Sequence, residues 1–275
     1  MAKGCDRVIL EDEILEFYNN GAEKNRISGM SLERIRTQEL VLRHIPEAPC
    51  EILDIGGGAG IYSFWLHDLG NDVHFIDPVP LHVEQAKNTA IETNRNLKSI
   101  KLGDARALEF EDNMFDAVLL LGPLYHLTDK QERIQSLLEA KRVLKRNGIV
   151  FCAGISKFTS LIEGFYDDSV ADKDFVQIVA QDIACGHHCN VTNNKKYFTT
   201  SYFHHIDELS KEVSEAGFDL IGKYSVESFG RYIPDVETKM MNQEYRDLLL
   251  KFIRMLESEP SVLSMGCHLM IVGKK

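Results

Sequence analysis

Ten residues constrain this chain more than any others: Glu51-Ile52-Leu53-Asp54-Ile55-Gly56-Gly57-Gly58-Ala59-Gly60. An apolar stretch suited to a buried strand runs into four glycines, then into the helical pattern Ile61, Phe64, Trp65, Leu69. Strand, glycine turn and helix open a βαβ unit of the nucleotide-binding kind. Glycine accepts positive φ and lets a ligand approach the backbone where a Cβ would intrude. The N–H groups at the helix start have no intrahelical partner and point toward that ligand.

Spacing selects among nucleotides. A dinucleotide fingerprint is G-x-G-x-x-G, and its third glycine would fall at Ile61 or Ser63. The chain carries D-x-G-x-G-x-G instead, at Asp54, Gly56, Gly58 and Gly60. This resembles the first motif of the class I S-adenosylmethionine (SAM)-dependent methyltransferases. The resemblance implies an α/β fold with a doubly wound, seven-stranded, mostly parallel sheet whose last strand is antiparallel. It also implies SAM as cofactor and S-adenosylhomocysteine (SAH) as product.

The following residues extend the likeness. Asn71 to Asp77 reads as a second strand ending in an acid, followed by Pro78 and a helix through Val83, Ala86 and Ile91. An acid about 20 residues past the glycine turn reaches the ribose hydroxyls of a nucleoside, and a carboxylate can accept from both hydroxyls of a vicinal diol. A third strand, Leu97 to Leu102, leads to Gly103-Asp104-Ala105. In the methyltransferases an acid here faces the adenine amino group and the next N–H meets a ring nitrogen, which assigns Asp104 and Ala105. The fourth strand, Phe115 to Leu121, is apolar enough to be buried on both faces and opens into Gly122-Pro123-Leu124-Tyr125-His126-Leu127. Ligands of open α/β sheets bind beyond the carboxyl ends of the strands, so Leu121 and Gly122 border the cofactor and Tyr125 and His126 the transferred methyl. A Pro-Pro-aromatic run, common in amino-directed nucleic-acid methyltransferases, is absent here, and the likeness is to small-molecule enzymes.

Residues 1–50 are read as a helical N-terminal cap, with amphipathic patterns near Glu11–Tyr18 and Ser31–His44. By the family resemblance Tyr18 and Arg36 are candidates to reach the cofactor. Thr128 and Asp129 precede a helix striped by Ile134, Leu137, Leu138 and Leu144, and Ile149 to Ala153 follows as a fifth strand. Residues 156–205, rich in aromatics and histidines, interrupt the alternation and are read as a lid over the acceptor pocket, with helices of its own. Asp207–Ala216 (helix), Phe218–Val226 (strand), a helix around 240–256 and Met265–Val272 (strand) complete a cofactor domain of residues 51–155 and 206–275.

Net charge is −11, which argues against a nucleic-acid backbone as main partner. No apolar run of membrane-spanning length and no signal peptide are seen, so the cytoplasm is expected. The six cysteines are scattered, as reduced thiols would be. The one cluster, Cys185-Gly186-His187-His188-Cys189, is too short to wrap a metal tetrahedrally, and no metal is expected. The reading is therefore an enzyme methylating a small-molecule acceptor, with His126 as a candidate base and Tyr125 as a candidate orienting group. A catalytically silent SAM-binding module and an NAD(P)-dependent Rossmann oxidoreductase are the alternatives. The acceptor and the oligomeric state stay open.

Overall fold

A computed structural model describes residues 31–190, 192, 194 and 197–275. Tyr18 and the first expected cap helix, near Glu11–Tyr18, lie outside the described residues. Helix α1 (Leu32–His44) starts where Ser31 caps the Arg34 N–H, close to the expected boundary. The central units follow in order: β1 (Glu51–Ile55), α2 (Ile61–Asp68), β2 (Asp72–Asp77), α3 (Pro80–Thr93), β3 (Ser99–Leu102), β4 (Phe115–Leu120), the short α4 (Pro123–His126), α5 (Lys130–Val143) and β5 (Leu144–Ser156). After β5 come α6 (Thr159–Tyr166), α7 (Lys173–Cys185), β6 (His187–His188) and β7 (Ser201–His204). The chain closes with α8 (Ile206–Glu215), β8 (Asp219–Ser225), α9 (Val236–Lys239), α10 (Gln243–Leu256) and β9 (His268–Lys274).

Strands β3, β2, β1, β4 and β5 run parallel in that order, and β9 joins β5 antiparallel and carries β8 on its other edge. These seven strands are the expected sheet. Beyond the expectation, β6 and β7 form a hairpin, and β7 adds to β5 at Ile155 and Ser156. Because β9 already pairs with Ile155, β7 must occupy the other edge of β5, in the space beyond the end of β4. The long interruption thus contributes a strand to the sheet's carboxyl end.

Side chains alternate strictly across this sheet, as period two demands. Ile52, Ala117, Leu119, Phe151, Met270 and Val272 face α1 and α2, where Leu40, Val41 and Leu66 cover them. Leu53, Val118, Leu120, Val150, Leu269 and Ile271 face the other way, onto Leu137 and Ala140 of α5 and Leu209 and Val213 of α8. Both faces are dry, which is why the strands read as continuous apolar runs. Asp54 shares the face of Ile52 but sits one step nearer the glycine turn. Among the described residues no helix is long and apolar enough to cross a membrane.

Candidate active site

The glycine turn packs with almost no space to spare. Gly56 has φ +69°, and a Cβ there would lie 2.9 Å from Pro123 Cγ, so the turn after β1 and the start of α4 meet at that α-carbon. A Cβ on Gly57 would lie 2.6 Å from the buried Phe75 ring and 2.9 Å from Asp54 Oδ2. Gly58 donates its N–H to Asp77 Oδ2 at 2.8 Å, and Gly60 precedes α2 as its N-cap. The carboxyl ends of β1, β2 and β4 are in this way tied into one edge.

Asp54 is buried at the base of the turn and accepts the Ser63 hydroxyl at 2.6 Å. Burial, with a smaller push from Asp77, raises its carboxyl to about 6 against the opposing Ser63 bond. A carboxyl that binds its proton more tightly when folded loses stability as pH rises between its unfolded and folded values. We expect Asp54→Asn to stabilise the ligand-free protein above about pH 6, by up to about 3 kcal/mol, and to give no gain near pH 4. Thermal melts at both pH values check this, and an equal gain at both would refute the burial argument.

Asp77 ends β2. Its Oδ1 accepts the Val79 N–H at 2.8 Å and lies 3.1 Å from His82 Nδ1, whereas its Oδ2 takes the single Gly58 bond. Pro78 beside it is exposed. Asp104 is engaged by Arg106, whose backbone N–H and guanidinium both reach the carboxylate, and Arg106 also pairs with Glu132 at 3.0 Å. Burial pushes the Asp104 carboxyl up, but the Arg106 bonds and charge outweigh it and leave it below its ordinary value. Arg106 went unnoticed in the sequence, although an arginine two residues from a surface acid is a local signal. Ala105 is buried next to them.

Beyond β4, Leu121 and Gly122 are half-buried and Tyr125 is buried. A methyl placed on Gly122 would lie 3.5 Å from the Gly56 carbonyl oxygen and 3.6 Å from the Tyr125 hydroxyl. Tyr125 packs with Ile155, Phe203 and Cys267, and the His126 ring stands 4.6 Å from the Tyr125 ring and 5.9 Å from Phe198. Segment 156–205 therefore supplies the aromatic wall of this corner.

One expectation needs correction. Arg36 does not face the glycine turn. Its guanidinium is wholly buried, pairs with Glu39 and Glu257, and donates Nε–H to the Val226 carbonyl at 3.2 Å. It anchors α1 to β8 and α10. Arg36→Met is therefore expected to lower the melting temperature through loss of a buried pair while leaving SAH affinity within about twofold, as calorimetry would show; a larger loss would restore it to the cofactor site. Glu227, Arg231 and His268, which gather near the start of β9, were not singled out in the sequence, because Glu227 and His268 are 41 residues apart. In the Cys185–Cys189 cluster, His188 is held by Asp182 at 2.9 Å and by the Phe198 carbonyl at 3.2 Å, a structural role.

A parallel sheet in this order, with a glycine turn after β1, an acid ending β2 and an acid following β3, is the architecture of a methyltransferase fold. The methyltransferase domain family matches residues 53–152. A ubiquinone/menaquinone biosynthesis C-methyltransferase of Zymomonas mobilis is 30% identical over 194 residues, covering 68% of this chain and 74% of the relative. A homologous enzyme of Chromobacterium violaceum is 28% identical, covering 78% and 87%. Among solved structures, a SAM-dependent methyltransferase of Methanosarcina mazei superposes with TM-score 0.58 at 18% identity, covering 86% and 96%. The chain belongs to the class I SAM-dependent methyltransferases, and its cofactor is SAM, released as SAH.

The residues present fit that cofactor. The carboxylates of Asp77 and Asp104 would accept from a ribose diol and an adenine amino group, and the Ala105 N–H would face a ring nitrogen. Gly56, Gly58, Gly60, Asp77 and Asp104 would hold the nucleoside, and Leu121 and Gly122 would border its sulfur end.

Proposed function

We propose that the protein methylates a small-molecule acceptor by in-line displacement, and that residues 156–205 act as the lid of the acceptor pocket over a cofactor domain of residues 51–155 and 206–275. One observation carries this reading: Gly56, Gly122 and the Tyr125 hydroxyl meet at a single point on the carboxyl edge, and the aromatic wall of Tyr125, Phe198 and Phe203 rises directly from it. SAM, when bound, supplies a methyl already activated on a sulfonium.

The chain's own task is then to hold and to exclude. Orientation of reacting groups is worth roughly 7–11 kcal/mol, against roughly 3–5 kcal/mol for a positioned base. Tyr125 fixes the acceptor through its hydroxyl, and His126, flanked by Tyr125 and Phe198, closes the pocket beside it. Burial of Tyr125 and Phe203 keeps water from the transfer point. The name of the Zymomonas relative makes aromatic quinone precursors the first acceptors to test. Incubation with methyl-labelled SAM and a small-metabolite extract, followed by mass spectrometry, should reveal one labelled product; label transfer to RNA alone, or to nothing by protein that binds SAH, would defeat the reading.

A further inference from the structure

Asp77 closes β2 and is followed by Pro78-Val79-Pro80, which leads straight into α3. Proline fixes φ at about −65°, and Val79 between the two prolines is extended (φ −92°, ψ 115°), the conformation preferred before a proline. The link therefore has little freedom. Val83 and Ala86 pack the start of α3 onto Phe64 and Phe75, so the first turn of that helix keeps a set relation to Asp77.

His82 makes use of that relation. It is 4% exposed, and its Nδ1 lies 3.1 Å from Asp77 Oδ1. A carboxylate can only accept, so Nδ1 carries the hydrogen. Oδ1 then accepts from His82 and from the Val79 N–H at 2.8 Å, and Oδ2 accepts from the Gly58 N–H at 2.8 Å. Donors from the glycine turn, the link and α3 itself converge on one buried carboxylate. Among the described residues His82 is the only side chain that donates to it. Burying an imidazole costs free energy unless its N–H is bonded, and this N–H is spent on the acid assigned to the ribose.

We propose that His82 is a positioning residue for cofactor binding: acting through Asp77, it keeps the carboxylate aimed at the ribose hydroxyls and so favours ligands that carry them. The proposal rests on the reading of Asp77 as the ribose acid. The two backbone bonds reach one oxygen each from loops, whereas His82 braces Oδ1 from a packed helix. His82 itself need not touch the cofactor.

A positioning role and a packing role differ in two measurable ways. Positioning works only while Asp77 is there to transmit it, so losses at His82 and Asp77 should not add. It also acts only on ligands with ribose hydroxyls. A packing defect at the start of α3 would instead weaken hydroxylated and deoxygenated ligands alike, with or without Asp77.

Calorimetry on the full chain with SAH and its 2′,3′-dideoxy analogue reads both. His82→Leu should weaken SAH roughly tenfold, the lower end of what one hydrogen bond to a charged group contributes, and should leave the dideoxy analogue within about twofold. His82→Asn, whose side-chain NH₂ can stand in for Nδ1–H, should bind SAH within about twofold of wild type. In an Asp77→Ala background, His82→Leu should change SAH affinity by less than about twofold. A thermal melt shows that each variant is folded, and His82→Met, which repacks readily, replaces a leucine variant that is not. Unchanged SAH affinity in the folded variant, an equal loss for both ligands, weak binding by H82N, or full additivity with D77A would each overturn the His82 role alone. Folded D77A that binds SAH as wild type does would instead remove Asp77 from the ribose and end both readings.

Discussion

Arg133→Ala should destabilise the protein by about 3–5 kcal/mol, the range found when one partner of a buried ion pair is removed. Arg133 is 2% exposed and grips Glu212 of α8 with two bonds, at 2.9 and 2.7 Å. It also donates to the carbonyls of Leu127 and Thr128, at 2.9 and 3.0 Å, and its guanidinium lies 3.8 Å over the Tyr202 ring of β7. One side chain of α5 therefore ties α8, the hairpin strand and the turn leaving Tyr125–His126. Truncation leaves Glu212 buried and uncompensated, with His204 Nε2 3.6 Å away as a weak substitute. Burial raises the Glu212 carboxyl, but Arg133 more than reverses this and brings it down to about 2. The stability linked to that depression is present above the ordinary glutamate range and lost as pH falls from about 4.5 toward 2. Urea melts should show this acid limb in wild type and its absence in R133A. Arg133→Met combined with Glu212→Leu should regain most of the loss, since a well-packed apolar pair often replaces a buried ion pair without penalty. A loss below about 1 kcal/mol in R133A would mean that water already reaches the pair.

What the chain disclosed in advance follows the range of each interaction. Asp54, the glycines and Asp77 were legible because strand period, turn chemistry and a fixed distance to the next acid are all local. The alternation of Ile52 and Leu53, or Leu119 and Leu120, predicts a sheet covered on both sides, and both sides are covered. Arg36 was misread because its position on α1 reveals a face but not Glu257, which arrives from 221 residues away. The β7 strand escaped because only four residues form it and its partner edge exists only where β4 stops. The Glu227–His268 pair escaped for the same reason as Arg36: neither residue carries a local pattern, and only the antiparallel return of β9 brings them together.

Asp77→Asn should weaken SAH binding roughly 10²-fold. The wild-type carboxylate already accepts from Gly58 and Val79, so its two backbone bonds fix both oxygens in place before any ligand arrives. A hydrogen bond to a charged group contributes about 1.5–3 kcal/mol, and tenfold in affinity is about 1.4 kcal/mol. Two such bonds to a ribose diol therefore account for at least a hundredfold. Asparagine keeps the shape but presents an NH₂ where an acceptor is needed, so it opposes either a backbone N–H or a ribose hydroxyl whichever way it is turned. Asp104→Asn should cost less, because Asp104 already shares its carboxylate with Arg106 and more of it is open to solvent. Calorimetry with SAH on both variants separates the two acids, with a thermal melt to show that each is folded. Folded D77N that binds SAH as tightly as wild type would remove Asp77 from the cofactor site, and with it the assignment of the edge between β1 and β2 to the ribose.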